Sequence, residues 1–114
     1  MNHQKLRCYE VLLGTAKRVP GIVARMPRGH NYIVDQLRRA LSSAILNLSE
    51  GNGRTSAKER ARFFDISLAS IAESSSAIDV MLAFDLISKQ SADEFRSQFR
   101  IAYAMIMNLK KSGF

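Results

Sequence analysis

Tryptophan is absent from this chain, and only one Cys, two His and two Pro occur in 114 residues. Each scarcity excludes something. One thiol, Cys8, cannot close an internal disulfide, so nothing points to an oxidising compartment. Cys8 sits among Leu6, Tyr9 and Leu12 and reads as a small apolar residue near a helix face. His3 and His30 stand at no ligand spacing with each other or with Cys8, which argues against a metal site. As nucleophile and base, Cys8 and His30 lack a third group to orient them. No serine lies in a G-x-S-x-G elbow. Gly51-Asn52-Gly53 is only G-x-G, after a helical pattern rather than a strand, so it is no dinucleotide fingerprint. The expectation is a protein without catalytic residues, metal or cofactor.

Long apolar runs are also missing. None approaches the roughly 20 residues that cross a bilayer. The opening segment, with His3, Lys5 and Arg7 scattered through it, lacks the apolar block of a signal peptide. The reading is a cytoplasmic protein with no membrane partner. With apolar residues at 46% and charged residues at 24%, the chain can bury a core. Its length suits one domain over residues 1–114.

Acids are scarce relative to bases, ten against seventeen, and the net charge is +7. The excess is uneven. Residues 1–62 carry twelve bases and four acids, residues 63–94 one base and six acids, and residues 95–114 four bases and no acid. Such a chain attracts polyanions, either nucleic acid or an acidic protein surface.

What is abundant is helical periodicity. A first helix is expected over His3–Arg25, with Leu6, Tyr9/Glu10, Leu13, Ala16 and Val19 on one face. Pro20-Gly21 should kink it or start it afresh. Met26–Asn31 reads as a connector with a turn at Arg28-Gly29. A second helix over Tyr32–Ser49 buries Ile33, Leu37, Ala40/Leu41, Ala44/Ile45 and Leu48, and Gly51-Asn52-Gly53 should stop it. A capping box, Ser56-Ala57-Lys58-Glu59, opens a third helix running to Ile87. Its seam is Phe64, Leu68, Ile71, Ser75, Ile78 and Leu82. A second box, Ser91-Ala92-Asp93-Glu94, opens the fourth, with Phe95, Phe99, Ala102, Ile106 and Leu109 inside. No segment alternates long enough for a strand. The fold class is all-α, an antiparallel up-down-up-down four-helix bundle.

The third helix has a second stripe of Phe63, Ser67, Ser70, Ser74, Ala77, Met81 and Phe84, and the fourth has Tyr103, Met105 and Met107 beside its seam. Such faces serve either broad packing within one bundle or self-association. Two polar groupings stand out. Arg39, Ser43, Asn47 and Glu50 share one side of the second helix, with Arg38 beside them and Glu73 on the third. They form either a buried network that fixes helix register or a ligand site. Arg54, Lys58 and Arg62 follow at four-residue steps as a basic ridge by a helix start, where anions are favoured. Lys17, Arg18, Arg25 and Arg28 make a second basic edge. A solvated surface is the other reading of both. No aromatic residue interleaves these bases, so a stacking platform is not expected.

The order Gln36-Leu37-Arg38-Arg39-Ala40, Asn47-Leu48-Ser49-Glu50-Gly51-Asn52-Gly53-Arg54, Ser56-Ala57-Lys58-Glu59 with Phe63, and Ala69-Ser70-Ile71-Ala72-Glu73 resembles the bacterial 23S ribosomal RNA intervening-sequence protein family. That family is related to the accessory protein of diversity-generating retroelements. Arg39, Asn47, Glu50, Gly51, Arg54 and Glu73 match its motif positions. The resemblance implies a four-helix bundle assembling into a ring-shaped homopentamer, and it supplies no catalytic role to carry over. It also implies nucleic acid, and a reverse transcriptase or another protein, as partners. Two departures stand out. The proline usual in Ser-Ile-Pro-x-Asn is missing from Ser43-Ala44-Ile45-Leu46-Asn47, and Pro20-Gly21 lies in the first helix. On residues and resemblance together, the expected function is an oligomeric, non-catalytic module that contacts RNA or DNA. A scaffold for a polymerase or ribosome-associated partner is the alternative.

Overall fold

A computed structural model describes residues 2–112. Five helices follow one another: α1 (His3–Lys17), α2 (Val19–Arg25), α3 (Asn31–Gly53), α4 (Ala57–Ala83) and α5 (Lys89–Ser112). No strand occurs among the described residues. The four long helices form a bundle 45 Å along its longest axis. In order around it, α1 packs on α3, α3 on α4, α4 on α5, and α5 on α1. Contacts climb one helix while descending its neighbour. Ser43 meets Ser70 and Gln36 meets Glu73. Asp79 meets Arg96 and Asp65 meets Lys110. Cys8 meets Ala102, and Arg18 meets Glu94.

Most of the expected faces are buried. The α3 stripe from Ile33 to Leu48 and the α5 stripe from Phe95 to Leu109 lie wholly inside. The α1 face is turned by about one residue, because Cys8, Leu12, Thr15 and Val19 are buried whereas Leu6 is 42% exposed. Thr15 can take an inside position because its hydroxyl donates to the Val11 carbonyl at 2.8 Å. On α4, Phe64, Leu68, Ile71 and Ile78 are buried, and Ser75 and Leu82 half-buried.

The second α4 stripe goes to packing within the chain. Ser67, Ser70, Ser74, Ala77 and Met81 are buried. Ser67 donates to the Ala44 carbonyl at 2.7 Å, and the Ser43 and Ser70 hydroxyls are hydrogen-bonded at 2.8 Å. These small residues admit α3, so the centre of the stripe is covered within the chain, while at its ends Phe63 is half-buried and Phe84 exposed. α4 is also long and apolar enough by composition to cross a bilayer, at mean hydropathy 1.3, but 44% of that stretch is buried in the bundle.

The helix ends differ from expectation in three places, while the break at Pro20-Gly21 is the fresh start that the sequence offered. The first helix ends at Lys17 and restarts at Val19, so Pro20 occupies the first turn of α2, where a missing N–H costs nothing. Gly51-Asn52-Gly53 stays helical, and α3 ends on an extended Arg54. α4 stops at Ala83, four residues early. There Asp85 takes φ 58, Leu86 N–H reaches the Met81 carbonyl at 2.8 Å, and Asp85 N–H reaches Leu82 at 3.0 Å. That double closure is a Schellman motif with Asp in the position glycine usually holds. The α5 cap is Ser88, whose hydroxyl accepts from Ser91 N–H at 3.1 Å; Ser91 lies inside the first turn. The Ser56 cap stands as read, accepting from Glu59 N–H at 3.3 Å.

Candidate nucleic-acid interface

The α3–α4 junction sets the basic ridge. Gly51, in the last turn of α3, lies under the Phe64 ring: a Cβ there would come within 2.6 Å of it. That close approach sets α4 tight against the end of α3 and brings the preceding residue, Phe63, to the junction surface. Arg54 leaves α3 in extended conformation at φ −83, ψ 144. It therefore lies outside α4, and the four-residue steps to Lys58 and Arg62 are not helical steps throughout. The half-buried Phe63 side chain brings Arg54 and Arg62 together, with their guanidinium carbons 5.0 and 5.1 Å from its ring centroid. Phe63, which follows Arg62 in the chain rather than lying between the bases, thus stands beside them in space. Cation–ring contacts at exposed sites contribute about 0.5–1 kcal/mol each.

The charges here are unequally free. Arg54 pairs with Glu50 at 3.0 Å and Glu59 at 3.6 Å. Arg60 donates to the Arg54 and Thr55 carbonyls at 3.3 and 2.7 Å, tying the junction loop to α4. Lys58 and Arg62 are exposed and make no ion pair among the described residues. Lys5 Nζ donates to the Asn52 carbonyl at 3.3 Å and so joins the start of α1 to this end. The end of α5 arrives alongside, with Lys110 on Asp65 at 2.6 Å. The starts of α1 and α4 and the ends of α3 and α5 together hold eight bases: Lys5, Arg7, Arg54, Lys58, Arg60, Arg62, Lys110 and Lys111. They face four acids, Glu10, Glu50, Glu59 and Asp65. Sequence spacing missed Lys5, Arg7, Lys110 and Lys111, because only the fold brings both chain ends to this junction.

Lys17, Arg18, Arg25 and Arg28 lie at the opposite end, so the two basic edges are not one surface. Arg18 pairs with Glu94 at 3.7 Å. Beside it an open cleft of about 940 Å³ separates α2 from the first turns of α5, lined by Arg18, Ile22, Arg25, Lys89, Glu94 and Phe95. Lys89 bonds Asp93 at 2.9 Å, and Arg96 reaches both Asp93 and Asp79. The Lys89 hydrogen bond, with Arg96 adding to it, holds the Asp93 carboxyl below its ordinary value. This end carries Lys17, Arg18, Arg25, Arg28, Arg38, Arg39, Lys89 and Arg96 against Asp35, Glu73, Asp79, Asp85, Asp93 and Glu94. With six acids among eight bases it attracts phosphate less.

The motif polar network does not close as a charged cluster. Arg38 and Arg39 are exposed and make no ion pair among the described residues. Glu73 is exposed and accepts from the Gln36 amide. Glu50 turns to Arg54. What lies between α3 and α4 is neutral: Asn47 donates to the Ser43 carbonyl at 2.9 Å and hydroxyl at 3.2 Å, and Ser43 meets Ser70. Burying a charge there would cost more than burying hydroxyls that already have partners.

Chemically the site offers cations and little else. Among the described residues no group of three or more His, Cys, Asp or Glu could hold a metal ion. Cys8 is buried, and burial pushes its thiol up to about 12.

No curated protein matches the chain. The model of the family described as 23S rRNA-intervening sequence protein matches residues 4–108, nearly the whole chain, and the chain belongs to that family.

Proposed function

We propose that this protein is a non-catalytic RNA-binding module of the cytoplasm, which contacts the RNA backbone through the α3–α4 end of the bundle. One observation carries the reading: eight bases gather there against four acids, with Lys58 and Arg62 exposed and without an ion pair among the described residues. Membership in a family described by an interruption of 23S rRNA favours RNA over DNA. Phosphate neutralisation releases counterions, so the logarithm of the binding constant should fall linearly with that of salt, by about 0.7 per phosphate on a single strand. A gel-shift series with mixed-sequence RNA tests this, and absence of binding at low salt would refute it.

The same reading takes the working unit to be a homo-oligomer, the five-membered ring that the family resemblance implies. Support comes from the partly exposed Ile66, Tyr103 and Ile101 on the flanks of α4 and α5. Light scattering that returns 12.8 kDa at micromolar concentration would contradict it.

A second reading, a scaffold for a protein partner such as a reverse transcriptase, draws on the opposite end. Tyr32 and Phe84 are 58% and 59% exposed there, and exposed aromatics suit protein contacts. A partner retained after nuclease treatment, and lost on changing Tyr32 and Phe84 to Ser, would favour it.

A further inference from the structure

The bases of the α3–α4 junction are held in unlike ways. Lys58 is a flexible point charge on α4. Arg54 is not part of that helix, yet its guanidinium lies 5.0 Å from the same ring that Arg62 approaches at 5.1 Å. Helical spacing does not place these two cations together; the ring does. Glu50 and Glu59 hold Arg54 from its other side, whereas among the described residues Arg62 makes no ion pair and lies on the ring. An arginine free in solution loses much rotamer freedom when it grips a phosphate, and one already laid on an aromatic face loses less. We propose that Phe63 is the positioning residue of the RNA site: its ring pre-orders Arg54 and Arg62 as a pair of phosphate donors at the junction.

This rests on the RNA reading above, and the two are separable. Phe63 carries no charge, so it alters affinity without altering the number of phosphates neutralised. The probe is a mixed-sequence single-stranded RNA, titrated against the full chain over a salt series. Phe63→Met keeps apolar volume without a ring face, and Arg62→Lys keeps the charge without the plane that stacks. Both should bind about three- to tenfold more weakly than wild type with the same salt slope. Phe63→Tyr, which retains the face, should restore wild-type affinity. Wild-type affinity in Phe63→Met and Arg62→Lys, or equal weakness in Phe63→Tyr and Phe63→Met, would overturn the role of Phe63 and leave the RNA reading standing. Failure of the wild type to bind would remove the RNA reading and this inference with it. If Phe63→Met does not fold, Arg62→Lys decides, because that side chain is exposed on α4.

Discussion

A methyl group on Gly51 would sit 2.6 Å from the Phe64 ring, which is 1% exposed and packed in the core. Helix propensity favours alanine by about 1 kcal/mol, but overpacking a core costs about 1–3 kcal/mol. Gly51→Ala should therefore lower stability by up to about 2 kcal/mol, read as a lower urea midpoint. Gly53→Ala is the control. Nothing lies within 4 Å of its added methyl, so stability should stay level or rise by a few tenths of a kcal/mol. Cys8 gives a second test at this scale. Its thiol is fully buried and pushed up to about 12, so a thiol reagent at pH 8 should label it only after denaturant opens the bundle. Rapid labelling of the native protein would contradict that burial. The sequence marked Gly51 as a helix stop because glycine often ends helices. Its actual role depends on Phe64, thirteen residues further on, which no local rule connects to it.

Single hydrogen bonds decide where elements begin and end. Ser88 caps α5, so Ser88→Ala should cost about 1 kcal/mol, whereas Ser91→Ala should cost only a few tenths. Equal losses by thermal melting would place the cap back at Ser91. The misreading is instructive: Ser91-x-x-Glu94 has the capping pattern, but Ser88-x-x-Ser91 is what closes the first turn. Apolar rhythm read the interiors of α3 and α5 correctly, because strong stripes leave one face to bury. α1 was harder. Leu6 and Leu13 outweigh Cys8 and Thr15 in apolar side-chain area, yet α5 packs on the Cys8 face, where Ala102 leaves room for it. The end of α4 was hidden because Asp85 adopts the left-handed conformation without being glycine or asparagine.

Across the whole molecule, charge is sorted by end. At the α2–α5 end, Lys89, Asp93, Arg96 and Asp79 form a linked surface chain. The Asp93 carboxyl lies below its ordinary value of 3.8. Its contribution is thus present above that value and is lost as pH falls through the lowered one. Stability should fall more gently below pH 4 in Asp93→Asn than in wild type, and identical acid profiles would show the chain to be inert. At the α3–α4 end, sequence spacing named Arg54, Lys58 and Arg62 and set Arg25 and Arg28 on a second edge, but could not say that the two edges lie at opposite ends of the bundle. Only the order in which the helices pack assigns each base to its end. RNA affinity measured over a salt series for two double variants tests the central claim most directly. With Lys58 and Arg62 both changed to Gln, affinity should fall and the salt slope should flatten by about 1–1.5, while Arg25 and Arg28 changed to Gln should leave both near wild type. The reverse pattern, or no change in either variant, would contradict it.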